Sequence, residues 1–101
     1  MESPMSYTLF IDDERQVFDP TWVVARNVEE AKQIVRERGL PSYMSLDHDL
    51  GGDETVMQFL HWLSQEYYES GCPEYQIHSA NPVGQQNIGA FLRSWNKSLI
   101  I

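Results

Sequence analysis

Positive charge is scarce in this 101-residue chain: seven Lys and Arg stand against fifteen Asp and Glu, a net charge of −8 with histidine neutral. A protein that tracks along a nucleic-acid backbone needs clustered Lys and Arg to displace counterions. Extended nucleic-acid binding is therefore excluded, whereas a nucleotide or one RNA end held in a local pocket is not. Cysteine is nearly absent. The single Cys72 cannot form an internal disulfide, which suits a reducing cytoplasm. It has no electropositive sequence neighbour to activate it and reads as inert. Long apolar runs are missing too; stretches such as 22–25 and 99–101 are far too short to cross a bilayer. The first ten residues lack the basic start and apolar stretch of a secretory signal. No repeat, low-complexity tract or linker interrupts residues 1–101, so one domain with one core is expected.

Apolar and β-branched residues at 8–11 and 22–26 predict two strands, the first running into Asp12 and Asp13. Asn27 reads as a helix N-cap with Glu30 completing a capping box. Ala31, Ile34, Val35 and Arg38 follow at helical spacing until Gly39 and Pro41 stop the helix. Residues 44–46 predict a third strand, opening into Asp47, His48, Asp49 and the pair Gly51–Gly52. The stripe Val56, Phe59, Leu60, Leu63, Tyr67 predicts a helix over about 53–70. A short strand at 75–77 delivers His78 and Ser79. Asn81 then caps a last helix with Pro82 in its first turn and Ile88, Phe91, Leu92 and Trp95 on its buried face. Residues 98–101 read either as an edge strand or as core packing. Strands alternating with helices imply right-handed crossovers and a parallel sheet. Only about ten residues separate the first two strands, short for a helical crossover, so that connection is expected to be a loop or one helical turn.

Acidic and imidazole side chains collect at the strand ends. Asp12 and Asp13 follow the first strand, Asp47, His48 and Asp49 the third, and His78 and Ser79 the fourth. In an open parallel sheet the carboxyl ends of the strands share one crevice, where ligands bind. Crowded carboxylates need a bound cation, a raised pKa or a nearby imidazolium. Oxygen-rich sites suit Mg²⁺, Mn²⁺ or Ca²⁺, and a pair of histidines can serve as general acid and base. The helix opened by Asn81 and Gly84 offers free N–H groups to an anion, and Arg15 can reach a phosphoryl oxygen. Each feature has a plain structural alternative. The aspartates can be turn residues and caps, His48 a loop residue, His78 a satisfied core histidine and Arg15 a solvated arginine. His61, inside an apolar stripe, reads as structural.

The strand ends at Asp12-Asp13, Leu46-Asp47 and Ser79-Ala80 resemble response-regulator receiver domains over roughly residues 7–95. That resemblance implies Mg²⁺ at the first acidic pair, phosphate acceptance at Asp47 and a phosphoryl contact at Ser79. No lysine is seen at the end of a fifth strand, and Lys97 is expected in a tail after the last helix. Three segments are more similar to cyclic-phosphate-processing receiver domains: Ile11-Asp12-Asp13-Glu14-Arg15, Asp47-His48-Asp49-Leu50-Gly51 and His78-Ser79-Ala80-Asn81-Pro82-Val83-Gly84. The resemblance implies a trimmed, flavodoxin-like three-layer α/β fold, with a parallel sheet of about four strands, flanking helices and the first crossover helix reduced or missing.

The expected activity is a metal-assisted phosphoesterase acting on a cyclic phosphate of a nucleotide or RNA end. Asp12, Asp13 and Asp47 are expected to hold a divalent ion, Mg²⁺ or Mn²⁺. His48, His78 and Asp47 are the expected catalytic groups, Arg15, Ser79, Asn81 and Gly84 the phosphate contacts, and Asp49 a further lining residue. The alternatives are a non-catalytic binding module for cyclic nucleotides or terminal phosphates and a degenerate phospho-accepting receiver. A monomer or homodimer is expected, with Trp62, Tyr67, Tyr68 and Trp95 as available aromatic surface.

Overall fold

A computed structural model describes residues 6–99. The elements are β1 (Thr8–Ile11), β2 (Trp22–Ala25), α1 (Val28–Arg38), β3 (Tyr43–Leu46), α2 (Val56–Glu66), a 3-10 turn (Tyr68–Ser70), β4 (Glu74–Ile77) and α3 (Pro82–Ser98). The four strands are parallel in the order β2-β1-β3-β4. A four-stranded parallel sheet with three helices is the receiver-like α/β fold that the motifs imply.

Topology explains where the helices lie. Right-handed crossovers put a helix on a face set by the direction in which the chain steps across the sheet. The steps β2→β3 and β3→β4 run the same way, so α1 and α2 share one face, and α3 joins them there. Leu9, Ile11, Ala25, Met44 and Leu46 of the strands form one buried cluster with Val35, Phe59, Leu60, Ile88 and Leu92 of the three helices. Only β1→β2 steps the other way, and residues 12–21 carry no helix. The third layer is thus not helical among the described residues. On that face Phe10 meets Trp22 edge-on at 5.6 Å, and Trp22 lies 6.1 Å from Tyr43.

The helix ends show the local chemistry. Asn27 caps α1 by accepting from the Glu30 N–H at 2.8 Å. The Glu30 carboxylate reaches one residue further back than a capping box would, to the Arg26 N–H at 2.8 Å. Helix α2 begins at Val56 rather than near 53. Gly51 and Gly52, at φ 97° and 57°, fold residues 49–55 into a tight loop, closed by Glu54 N–H donating to the Gly51 carbonyl at 3.0 Å. It ends at Glu66, and Gly71 at φ 83° follows the 3-10 turn. Helix α3 runs to Ser98, so Lys97 lies in its last turn rather than in a tail, and Ser98 is helical rather than part of an edge strand; residues 100–101 lie outside the described residues.

Two of the aromatics expected to offer dimer surface are engaged within the fold. Trp95 is buried, its indole N–H on the Tyr68 carbonyl at 2.9 Å, and Trp62 lies under the Lys32 and Arg36 cations at 5.9 and 5.4 Å. Burial pushes the Cys72 thiol up to about 11, consistent with an inert side chain. Among the described residues no helix is long and apolar enough to cross a membrane.

The Asn27 cap gives a direct test of the α1 assignment. Asn27→Ala removes the acceptor for one orphan N–H and is expected to cost about 1 kcal/mol, or roughly 4–8 °C in thermal unfolding of a domain this size.

Candidate functional site

The strand register aligns Ile11 with Ala25 and Leu46, and Leu46 with Ile77. The next residues, Arg26, Asp12, Asp47 and His78, therefore leave the sheet abreast. Backbone bonds continue the ladder one step: Asp12 N–H to the Ala25 carbonyl (3.1 Å), Asp47 N–H to Ile11 (3.0 Å) and His78 N–H to Leu46 (3.0 Å). Because side chains alternate along a strand, a row that follows core-facing Ile11, Leu46 and Ile77 turns toward the face without helices.

Asp12 is the most tightly held member. Its Oδ1 accepts from the Glu14 and Arg15 N–H groups at 2.9 and 2.8 Å, and its Oδ2 lies 3.0 Å from His78 Nε2. Burial works to raise its pKa, but those backbone donors and the imidazole outweigh it and hold the carboxyl below the usual range. Asp47 goes the other way. Burial first, then the charges of Asp12 and Asp13, raise its carboxyl above the ordinary value, partly offset by His78. Carboxylate oxygens of Asp12, Asp13 and Asp47 all lie within 4.8 Å of one another.

Two adjoining cavities share Glu14, Asp47 and Ala80. One, of about 600 Å³, is bounded by Asp13, Asp49, Gly51, Gly52 and Asn81. The other, of about 440 Å³, is bounded by Asp12, Arg15 and His78. Three loops distant in sequence thus meet over one patch, as the strand-end rule requires. The Arg15 side chain is mostly exposed, with Nε 3.9 Å from Asp12 Oδ2.

Other expected site residues are placed differently. His48 lines neither cavity. It is almost buried, with Nδ1 3.0 Å from Asp49 Oδ1, and its ring fills the space beside Gly84, where an added Cβ would stand 2.4 Å from His48 Cγ. It follows Asp47 and so turns to the helix side, which does not suit the acid–base role expected of it. It acts instead on Asp49, whose carboxyl is held low by bonds from His48 and Asn81. Ser79, one residue past His78, is likewise buried and lines neither cavity; its Oγ accepts from the Asn81 N–H at 3.1 Å. The N–H groups of Val83 and Gly84, expected to be free for an anion, are both capped by Asn81 Oδ1 at 3.1 Å. Gly84 is needed for the close approach of His48. Asn81 does line the larger cavity, with Nδ2 3.3 Å from Asp49 Oδ2. His61 packs on Phe91 at 4.5 Å, away from the site.

Several contributors were missed in the sequence. Arg26 Nη1 donates to the carbonyls of Asp12 (3.1 Å) and Arg15 (2.6 Å), pinning the β1 loop. The same strand-end rule that selected Asp12 and Asp47 selects Arg26. Glu14 and Ala80 line both cavities. Phe10 stacks on His78 at 4.6 Å, and Ser45 Oγ lies 2.8 Å from His78 Nδ1; no local pattern marks those contacts, which span 33 residues or more.

Comparison with known families matches residues 7–94 to the cyclic-phosphate processing receiver domain. No curated protein and no solved structure matches the chain.

The crowded carboxylates predict a pH-dependent gain of stability on neutralising Asp47. A carboxyl with a raised folded pKa binds its proton more tightly in the fold, so stability falls as pH rises from the ordinary carboxylate value through the raised one. Asp47→Asn without added metal is expected to raise the melting temperature at pH 7. The gain should vanish below about pH 4, where the wild-type group is also neutral.

Proposed function

The chain belongs to the cyclic-phosphate processing receiver family, and from that premise we propose that it is a metal-assisted phosphoesterase that opens a cyclic phosphate on a nucleotide or RNA end. The observation that carries the reading is the cluster of Asp12, Asp13 and Asp47 oxygens within 4.8 Å, beside a cavity lined by Arg15 and His78.

The donor set suits a hard divalent cation. Asp12, Asp13 and Asp47 would hold it through carboxylate oxygens that lie within 4.8 Å of one another, the hard donors that Mg²⁺ and Mn²⁺ take. A carboxylate has about four acceptor sites. Protein donors from Glu14, Arg15 and His78 take three on Asp12, leaving one. A bound Mg²⁺ or Mn²⁺ would neutralise charge developing on the non-bridging phosphoryl oxygens. Because Asp47 must be ionised to ligate, uptake of the cation is coupled to proton release.

The remaining work falls to the chain's own side chains. In hydrolysis a water oxygen bonds to phosphorus, the bond from phosphorus to one ribose oxygen breaks, and the water's proton ends on the released alkoxide. Arg15 orients the phosphate through a charge-assisted hydrogen bond. His78 takes the water's proton on Nδ1, giving up the contact with Ser45 Oγ that occupies it at 2.8 Å in the resting site, while Asp12, bonded to Nε2, stabilises the imidazolium formed on the way. One histidine serves both steps in turn, since His48 faces the other side. A non-catalytic binding module is the second reading, favoured by the engagement of both His78 ring nitrogens with protein groups.

Incubation with 2′,3′-cyclic nucleotides and Mg²⁺ or Mn²⁺, followed by phosphorus NMR, is expected to show ring opening to a phosphate monoester. His78→Ala should lower turnover by about 10²–10⁴-fold, whereas His48→Ala should retain it. Undiminished turnover in His78→Ala would falsify the mechanism, and tight binding by calorimetry without product would establish the second reading. Mg²⁺ at a hundredfold excess over its Kd should stabilise the protein by about 2.7 kcal/mol. That shift should disappear in Asp12→Asn and Asp13→Asn.

A further inference from the structure

We propose that Ser45 and Gln76, on the sheet face that carries no helix, are positioning residues that fix the tautomer of His78, leaving its proton on Nε2 toward Asp12. The inference rests on the reading of His78 as the proton carrier of the site.

The geometry is a continuous chain of hydrogen bonds across three strands. Tyr43 OH donates to Gln76 Oε1 at 2.9 Å, Gln76 Nε2 donates to Ser45 Oγ at 3.0 Å, Ser45 Oγ lies 2.8 Å from His78 Nδ1, and His78 Nε2 lies 3.0 Å from Asp12 Oδ2. Donor bookkeeping gives this chain a direction. An amide nitrogen only donates, so the Ser45 oxygen is the acceptor from Gln76 and its single hydrogen is free to point at Nδ1. Nδ1 is then an acceptor, and the proton of a neutral imidazole sits on Nε2. The other end demands the same tautomer, because an ionised carboxylate can only accept.

Packing supports the assignment. Ser45 is fully buried, so no water replaces its hydroxyl if it is removed. It lies in β3, between β4, which supplies His78, and β1, which supplies Asp12 and Phe10. A small side chain there lets the imidazole reach across the sheet and stack on Phe10, with centroids at 4.6 Å and planes 16° apart. The ring is thereby fixed in plane by Phe10 and in tautomer from both ends.

Histidine-¹⁵N NMR, in solution alkaline enough to leave imidazoles neutral, reads the tautomer without requiring activity. Wild-type protein should show His78 protonated at Nε2. Asp12→Asn should keep that tautomer, because Ser45 still offers its hydrogen to Nδ1. The double variant Asp12→Asn with Ser45→Ala should give a mixture of tautomers. Should that protein fold poorly, Asp12→Asn with Gln76→Ala, which alters an exposed side chain and leaves the Ser45 hydroxyl undirected, should also give a mixture. Release of the tautomer by Asp12→Asn alone, or its persistence in the double variants, overturns the proposal. Absence of turnover in the wild type would defeat the hydrolytic reading, yet the NMR result would still decide the role of Ser45.

Discussion

Carboxylates forced together at the end of a parallel sheet govern this molecule. The in-register strands deliver Asp12 and Asp47 side by side, with Asp13 next to them, and such a group cannot stay fully ionised in a partly buried setting without compensation. The fold answers unequally. Asp12 is surrounded by donors and kept ionised, while Asp47, with fewer donors, keeps its proton to higher pH. A site that leaves one carboxylate under electrostatic strain costs stability, and it is the kind of cost a binding site bears because the ligand relieves it. In the proposed function a divalent cation, together with His78 and Arg15, would supply that relief.

The second constraint is the shortness of the β1–β2 connection. A helix there would cover the face formed by Phe10, Trp22, Tyr43 and Ser45. Without it, that face is organised by contacts among its own side chains. The consequence reaches the site, because His78 does not project straight into the crevice. It folds back over β3, lies against Phe10, accepts from Ser45 on one side and donates to Asp12 on the other. The loop in place of the helix also brings Arg15 to the rim of the cavity, anchored through the Arg26 contact with its carbonyl.

On the helix side, His48 and Gly84 form a separate support. The ring of His48 occupies the space that a side chain at 84 would need, and its Nδ1 meets Asp49, which also accepts from Asn81. The start of α3 is thereby tied to the loop after β3. Asn81 caps its own helix, so the first free N–H groups of α3 are taken up within the fold, and in the proposed function the phosphate is left to Arg15 and the crevice.

The sequence by itself determined the four strands, the three helices with their Asn27 and Asn81 caps, and the meeting of the Asp12, Asp47 and His78 segments. Those features depend on local periodicity, turn chemistry and the parallel-sheet rule, which act over a few residues at a time. It also marked the missing crossover, from a count of residues alone. Tertiary structure decided which of two adjacent residues lines the strand-end cavities: Asp47 and not His48, His78 and not Ser79. The alternation continued past each strand end separates them, but that depends on the strands ending level, a property of pairing between distant segments. The Ser45–Gln76 contacts with His78 lay further out of reach. They exist because three strands far apart along the chain are neighbours in the sheet and one face of that sheet carries no helix among the described residues, and no run of adjacent residues records that geometry.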